Sequence, residues 1–122
     1  MKKRPGDSPA HLRLIRQLPC CVCGNHPSDP HHLKRGVSTT PTGVGRKNED
    51  RWAVPLCRAC HEAAHRHGND QDWLWLKRVD GIALAKDLWL NTGHFGLMEE
   101  SVLGHGTRRQ AGAISGADVR PD

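Results

Sequence analysis

A chain of 122 residues with 36% hydrophobic and only 4% aromatic side chains has room for one small domain with a thin core. Its formal charge of +5 and pI near 9.2 suggest a polyanionic partner, most often nucleic acid. No stretch is apolar and long enough to span a bilayer and the N-terminus lacks the apolar core of a secretion signal, so the cytoplasm is expected, where paired cysteines hold metal more often than they form disulfides.

Residues 1–7 (MKKRPGD) read as a flexible basic leader. Ser8-Pro9 then has the form of an N-cap followed by proline at the first helical position, and a short helix over 8–18 places Leu12, Ile15 and Leu18 on one face. Pro19 ends it. Cys20 and Cys23, followed by Gly24, have the form of a zinc knuckle, a tight turn in which both thiolates face one ion. Cys21 is the odd cysteine, read as a small buried residue beside the knuckle. A polar turn leads to a short strand over His31–Arg35, in which the neighbouring His31 and His32 must point to opposite faces. Residues 36–50 form a Gly, Thr and Pro loop carrying Arg46 and Lys47, long enough to suggest function. Arg51–Leu56 reads as the returning strand, and a helix follows from Cys57 to about His67, where Gly68 suits its end.

The stretch from Cys57 to His65 concentrates metal-binding chemistry. Cys57 and Cys60 repeat the Cys-x-x-Cys spacing of Cys20 and Cys23, so the two pairs together make a four-sulfur zinc site. His61 and His65, four apart on a helix, present two imidazoles on one face and suit a second ion. The segment His61–His65 also satisfies the His-Glu-x-x-His pattern of zinc peptidases, with Glu62 as the base; Cys60 directly before the first His argues against that reading. Beyond residue 68, Asn69 or Asp70 caps one helical stretch with Trp73, Leu76 and Trp75 inward. Asp80 caps another with Ile82, Ala85, Leu88 and Trp89 inward. From Gly93 to the end the composition turns to Gly, Ser and charge, the pattern of a disordered tail.

The order of knuckle, His-His strand, loop, strand and Cys-x-x-Cys-His-x-x-x-His helix resembles the zinc-stapled HNH endonucleases, whose ββα-metal motif sits on a treble-clef scaffold. The resemblance covers residues 19–67, and the wording PHHLK, GVGRKNED and AVPLCRACH is similar to small HNH proteins of phages and prophages, including the recombination-enhancement nuclease group. It implies a treble-clef ββα-metal core, which with the flanking short helices, the helical extension over 68–92 and a disordered tail over 93–122 makes a small α+β fold. It also implies a bacterial host cell, and a recombination or packaging protein as a possible partner.

By the same resemblance, Cys20, Cys23, Cys57 and Cys60 match the structural zinc ligands. His31, His61 and His65 match ligands of a catalytic divalent metal, with Mg, Mn, Ni and Zn all open, and His32 matches the general base. The family's middle residue, often Asn, orients that base by holding its loop. The expected position falls on Trp52 here, so the role passes to a nearby polar group, Asp50 ahead of Asn48. Lys34, Arg35, Arg46, Lys47 and Arg51 flank the site as candidate contacts to a nucleic-acid backbone, which position without reading sequence. The residue types suit phosphodiester hydrolysis, which needs an imidazole that takes a proton near neutral pH and a cation beside the phosphate. The rival from another class is a noncatalytic zinc module that binds DNA or protein.

Overall fold

Ser8 opens the first helix: its hydroxyl accepts the His11 N–H at 3.1 Å and Pro9 takes the first helical position, giving α1 over Pro9–Gln17. The computed structural model describes residues 4–34 and 47–107 of the chain. Within them lies a small α+β arrangement of one two-stranded sheet and several helices. The face that α1 turns inward carries Ile15 and, beside it, the fully buried His11.

The hairpin pairs β1 (Ser28–His32) with β2 (Ala53–Cys57) antiparallel, setting His31 opposite Val54 and His32 opposite Ala53. β1 begins three residues before the predicted His31, because Ser28 Oγ donates to the Leu18 carbonyl at 2.8 Å and fixes the chain where α1 ends. Pro30 and Pro55, neither able to donate to the ladder, fall opposite each other, so one step of the ladder absorbs both. The returning strand starts later than predicted, since Asp50–Trp52 forms a 3₁₀ turn first.

Cys57 closes β2 with extended backbone and caps α2 (Arg58–His67), which stops at Gly68. Cys57 therefore stands outside the helix that carries His61, and the two need not share a face. Asn69 caps α3 (Asp70–Leu76) and Asp80 caps α4 (Gly81–Leu90), each carboxyl or amide oxygen accepting the N–H three residues on. The core brings Ile15 of α1 and Val54 and Leu56 of β2 against Leu74 of α3 and Leu84 and Leu88 of α4. Each such side chain contributes roughly 1.5–3 kcal/mol by leaving water. Among the described residues no helix is long and apolar enough to cross a membrane.

Three expectations need correction. The leader is not loose over residues 4–7: Arg4 pairs with Asp7 at 2.9 Å and donates to the Lys47 carbonyl, and the Arg51 N–H donates to the Gly6 carbonyl at 2.9 Å. Arg4 and Asp7 look solvated in the sequence, yet they pair with one another and each also bonds a backbone group more than forty residues away. Trp75 and Leu76 face outward, at 68% and 65% exposure, because the buried stripe of the short α3 runs through Asp70, Trp73 and Leu74. The predicted tail is ordered at first: α5 (Phe95–Val102) buries Met98 and Val102, and a π-helical turn follows over Leu103–Thr107. Gly106 lies so close to the knuckle that an added Cβ would stand 2.1 Å from the Cys21 carbonyl oxygen, which only glycine permits. Residues 1–3, 35–46 and 108–122 lie outside the described residues, and so do the greater part of the 36–50 loop and the rest of the tail.

Candidate functional site

The knuckle is shaped by its own backbone. Cys20 N–H donates to Asn25 O and Gly24 N–H to Cys20 O, both at 2.9 Å, and Gly24 takes the left-handed φ of 79° that the turn requires. Cys21 N–H donates to Pro55 O at 3.0 Å and so ties the knuckle to β2. This brings Cys20 and Cys23 to Cys57 and Cys60, with all four sulfurs within 4.8 Å of one another and Cys23 Sγ 3.5 Å from Cys57 Sγ. Tetrahedral thiolates at about 2.3 Å from an ion stand about 3.8 Å apart, so the cluster can hold a metal ion. Its chemistry asks for one. Burial, helped by the neighbouring sulfurs, pushes the Cys60 and Cys23 thiols up, so a cation among them would favour their thiolate form. Burial also raises Cys57, but the Cys60 N–H and the adjoining thiols outweigh it and bring that thiol down. Cys21 is fully buried and held high by burial, an inert packing residue as predicted.

The second cluster gathers His31 from β1 with His61 and His65 from α2, each offering a nitrogen within 4.8 Å of the others. His31 Nδ1 lies 3.2 Å from His61 Nδ1, and His61 Nε2 lies 3.2 Å from His65 Nε2. His61 thus faces one partner with each nitrogen, and a shared ion would take one of them. Burial, followed by the proximity of His31 and His65, lowers the His61 pKa to about 4, and burial also lowers His65. Near neutral pH these rings are uncharged and have lone pairs to give, the state in which imidazole binds metal. The three histidines therefore also make a group able to hold an ion. His31 is fully buried and His65 is exposed, so the cluster opens toward solvent on the α2 side.

Asp70, on which sequence reasoning placed only a cap, completes this cluster. Its Oδ2 accepts from His31 Nε2 at 2.9 Å and from the Lys34 N–H at 2.8 Å, and the residue is 4% exposed. Asn69 does the capping instead. No local pattern could have revealed the contact, since it joins residues 39 apart in the chain.

His32 points the other way. Its Nε2 donates to Asp50 Oδ1 at 2.9 Å, while its Nδ1 is buried and has no hydrogen-bond partner among the described residues. Burial lowers the His32 pKa, more than the Asp50 carboxylate raises it. Asp50 is held in turn: its Oδ2 accepts the Ser8 N–H at 2.9 Å and its own N–H donates to Asp7 Oδ1 at 3.1 Å. Asn48 donates to the carbonyl of Leu33, the residue after His32, at 2.7 Å.

The basic candidates divide. Lys34 and Lys47 are exposed, whereas Arg51 is paired with the buried Glu49 at 3.0 Å and lies over the Trp52 ring. Arg51 is therefore committed to the fold more than to a ligand. Arg35 and Arg46 lie outside the described residues. Glu62, the base of the peptidase reading, is an exposed helix residue.

Comparison with known proteins places residues 1–75 within a match to the family described as "Protein of unknown function (DUF968)". That span takes in both clusters, the strap of residues 4–8 and Asp70. The uncharacterized protein YdfU of Escherichia coli (strain K12) is 34% identical over 64 residues, which is 52% of this chain but only 18% of that protein. No solved structure matches.

Proposed function

This chain belongs to the DUF968 family of proteins of unknown function, and from its own residues we propose that it is a metal-dependent HNH-type endonuclease that hydrolyses phosphodiester bonds, with DNA as substrate. In this reading the hairpin and α2 are a ββα-metal motif on a treble-clef scaffold, the four cysteines hold a structural zinc, and the phage-like wording reflects a bacterial, cytoplasmic setting. The observation that carries the reading is the opposed placement of two adjacent histidines: His31 joins His61 and His65, while His32 stands apart on Asp50. A metal-binding module needs the first arrangement and has no use for the second.

His32 is the general base. A carboxylate can only accept, so Asp50 fixes the His32 proton on Nε2 and leaves Nδ1 as the basic nitrogen. That atom has no hydrogen-bond partner among the described residues, so its lone pair is uncommitted and can take the proton of an attacking water. Asp50 holds the ring, and Asn48, by binding the Leu33 carbonyl, holds the backbone beside it, so the family's single orienting residue is divided here between two. A divalent ion on His31, His61 and His65 would supply positive charge for the phosphoryl oxygens and the leaving oxygen. Lys34 and Lys47, both exposed, can seat the phosphodiester backbone without reading its sequence.

The test is cleavage of supercoiled plasmid, wild type beside His32→Ala, after removal of loosely bound metal and separate addition of Mg, Mn, Ni or Zn. Metal-dependent nicking or linearisation is expected in the wild type and its loss in the variant, with fold and tightly held zinc intact. If neither protein cuts under any ion while both bind DNA, the noncatalytic zinc module is the correct reading.

A further inference from the structure

Asp70 stands where it can decide which nitrogen of His31 binds an ion and how tightly. We infer that Asp70 is a positioning residue for the histidine metal site, fixing His31 with Nε2 protonated and Nδ1 presented to the ion. This rests on the three histidines taking a metal, as the nuclease reading does, but not on any cleavage. Three observations carry it. First, His31 is fully buried, so its ring has few alternative orientations, and both of its nitrogens are accounted for: Nε2 by Asp70 and Nδ1 by the side facing His61. Second, the carboxylate only accepts, so the Nε2 proton is fixed and the Nδ1 lone pair points into the cluster. Third, the same oxygen, Oδ2, takes the Lys34 N–H, which locks the end of β1 and therefore the His31 backbone to the first residue of α3. A buried carboxylate hydrogen-bonded to a ligating imidazole also raises its basicity as a donor, and losing such a partner typically costs about 10–100-fold in metal affinity. The helix that follows the predicted nuclease core is thus a working part of its metal site.

Co2+ is the probe, titrated into protein whose cysteines already hold zinc. The absence of cobalt–thiolate charge-transfer absorption shows that the cysteine ion has stayed in place, and the ligand-field bands report the histidine site. Wild type, Asp70→Asn and Asp70→Ala are compared. Asp70→Ala should bind Co2+ about 100-fold more weakly with an altered ligand-field spectrum, and Asp70→Asn, which can keep an oxygen on both N–H groups but lacks the charge, about tenfold more weakly. Both should retain one zinc per chain; if Asp70→Ala fails to, Asp70→Asn alone decides. Unchanged Co2+ affinity and spectrum in the variants, or a wild type that takes up no second ion, overturns the inference. A weakened site in the variants of a wild-type protein that cuts no DNA under any ion would leave it standing while the nuclease reading falls.

Discussion

Helix α2 serves two clusters that differ in every other respect. On one side Cys57, at the cap, and Cys60, in the first turn, meet a knuckle that is locked by its own backbone hydrogen bonds and tied to β2. Every ligand there is a thiol, and burial and the neighbouring sulfurs make Cys60 and Cys23 harder to ionise. On the other side His61 and His65 meet His31, with imidazole donors, a carboxylate behind one of them and an exposed edge at His65. A site that completes its own coordination from two turns is suited to holding a fold together. A site of three imidazole donors with an open side leaves room for a substrate. The lesson is that one helix can supply both because the cap residue belongs to the strand and only the helix body turns toward the histidines.

The sharpest way to break this contrast is to remove one ligand from each side. Cys57→Ser should cost the domain most of a structural zinc's contribution, on the order of 10 kcal/mol, and leave it unfolded by circular dichroism with no tightly held zinc. His61→Ala should instead fold and keep one ion, while losing the second ion in a metal-content assay and plasmid cleavage by about a thousandfold. If Cys57→Ser folds and His61→Ala does not, the two roles are reversed. Asp50→Ala, which spares both clusters, should lower the cleavage rate by about ten- to a hundredfold, less than His32→Ala, with both ions still bound by metal analysis.

The smallest effect lies away from both clusters. His11 is fully buried, stacks edge-on against Trp89, shares a hydrogen bond with Thr92 Oγ1 at 2.7 Å and has an Nε2 with no partner among the described residues. Burial lowers its pKa to about 4, against the opposing pull of Asp50. The unfolded chain takes a proton on His11 below about pH 6.5 while the folded one refuses it until about 4, so stability present at neutral pH is lost as pH falls between the two. Urea midpoints should show wild type losing about 2 kcal/mol more than His11→Phe between pH 7 and pH 5. Equal losses would mean that His11 is free to charge within the fold.

What the sequence made legible were features with fixed spacing. The two Cys-x-x-Cys pairs, the i and i+4 histidines and the Ser8, Asn69 and Asp80 caps each carry a local geometric requirement, and the structure brings them together accordingly. The opposed directions of His31 and His32 followed from strand pleating alone. Asp70, Asp7 and His11 were not legible, because their partners lie 39, 43 and 81 residues away and nothing local marks such a pairing. Trp75 and Leu76 misled because a helix of two turns offers too short a period to tell which of four consecutive apolar residues, Trp73 to Leu76, will face inward.

The strap at the beginning of the described chain has a consequence for the order of assembly. Residues 4–8 hold Lys47, Glu49, Asp50 and Arg51 through backbone and carboxylate bonds, so this earlier segment is completed by one made some forty residues later. The first knuckle waits in the same way for Cys57 and Cys60, and His31 for His61, His65 and Asp70. On a ribosome none of these early groups has its partner, and loop-closure entropy opposes each contact until the whole set can form together. The His32–Asp50 pair and both clusters then come together late, and His31 gains its last partner only once the chain as far as Asp70 has been made.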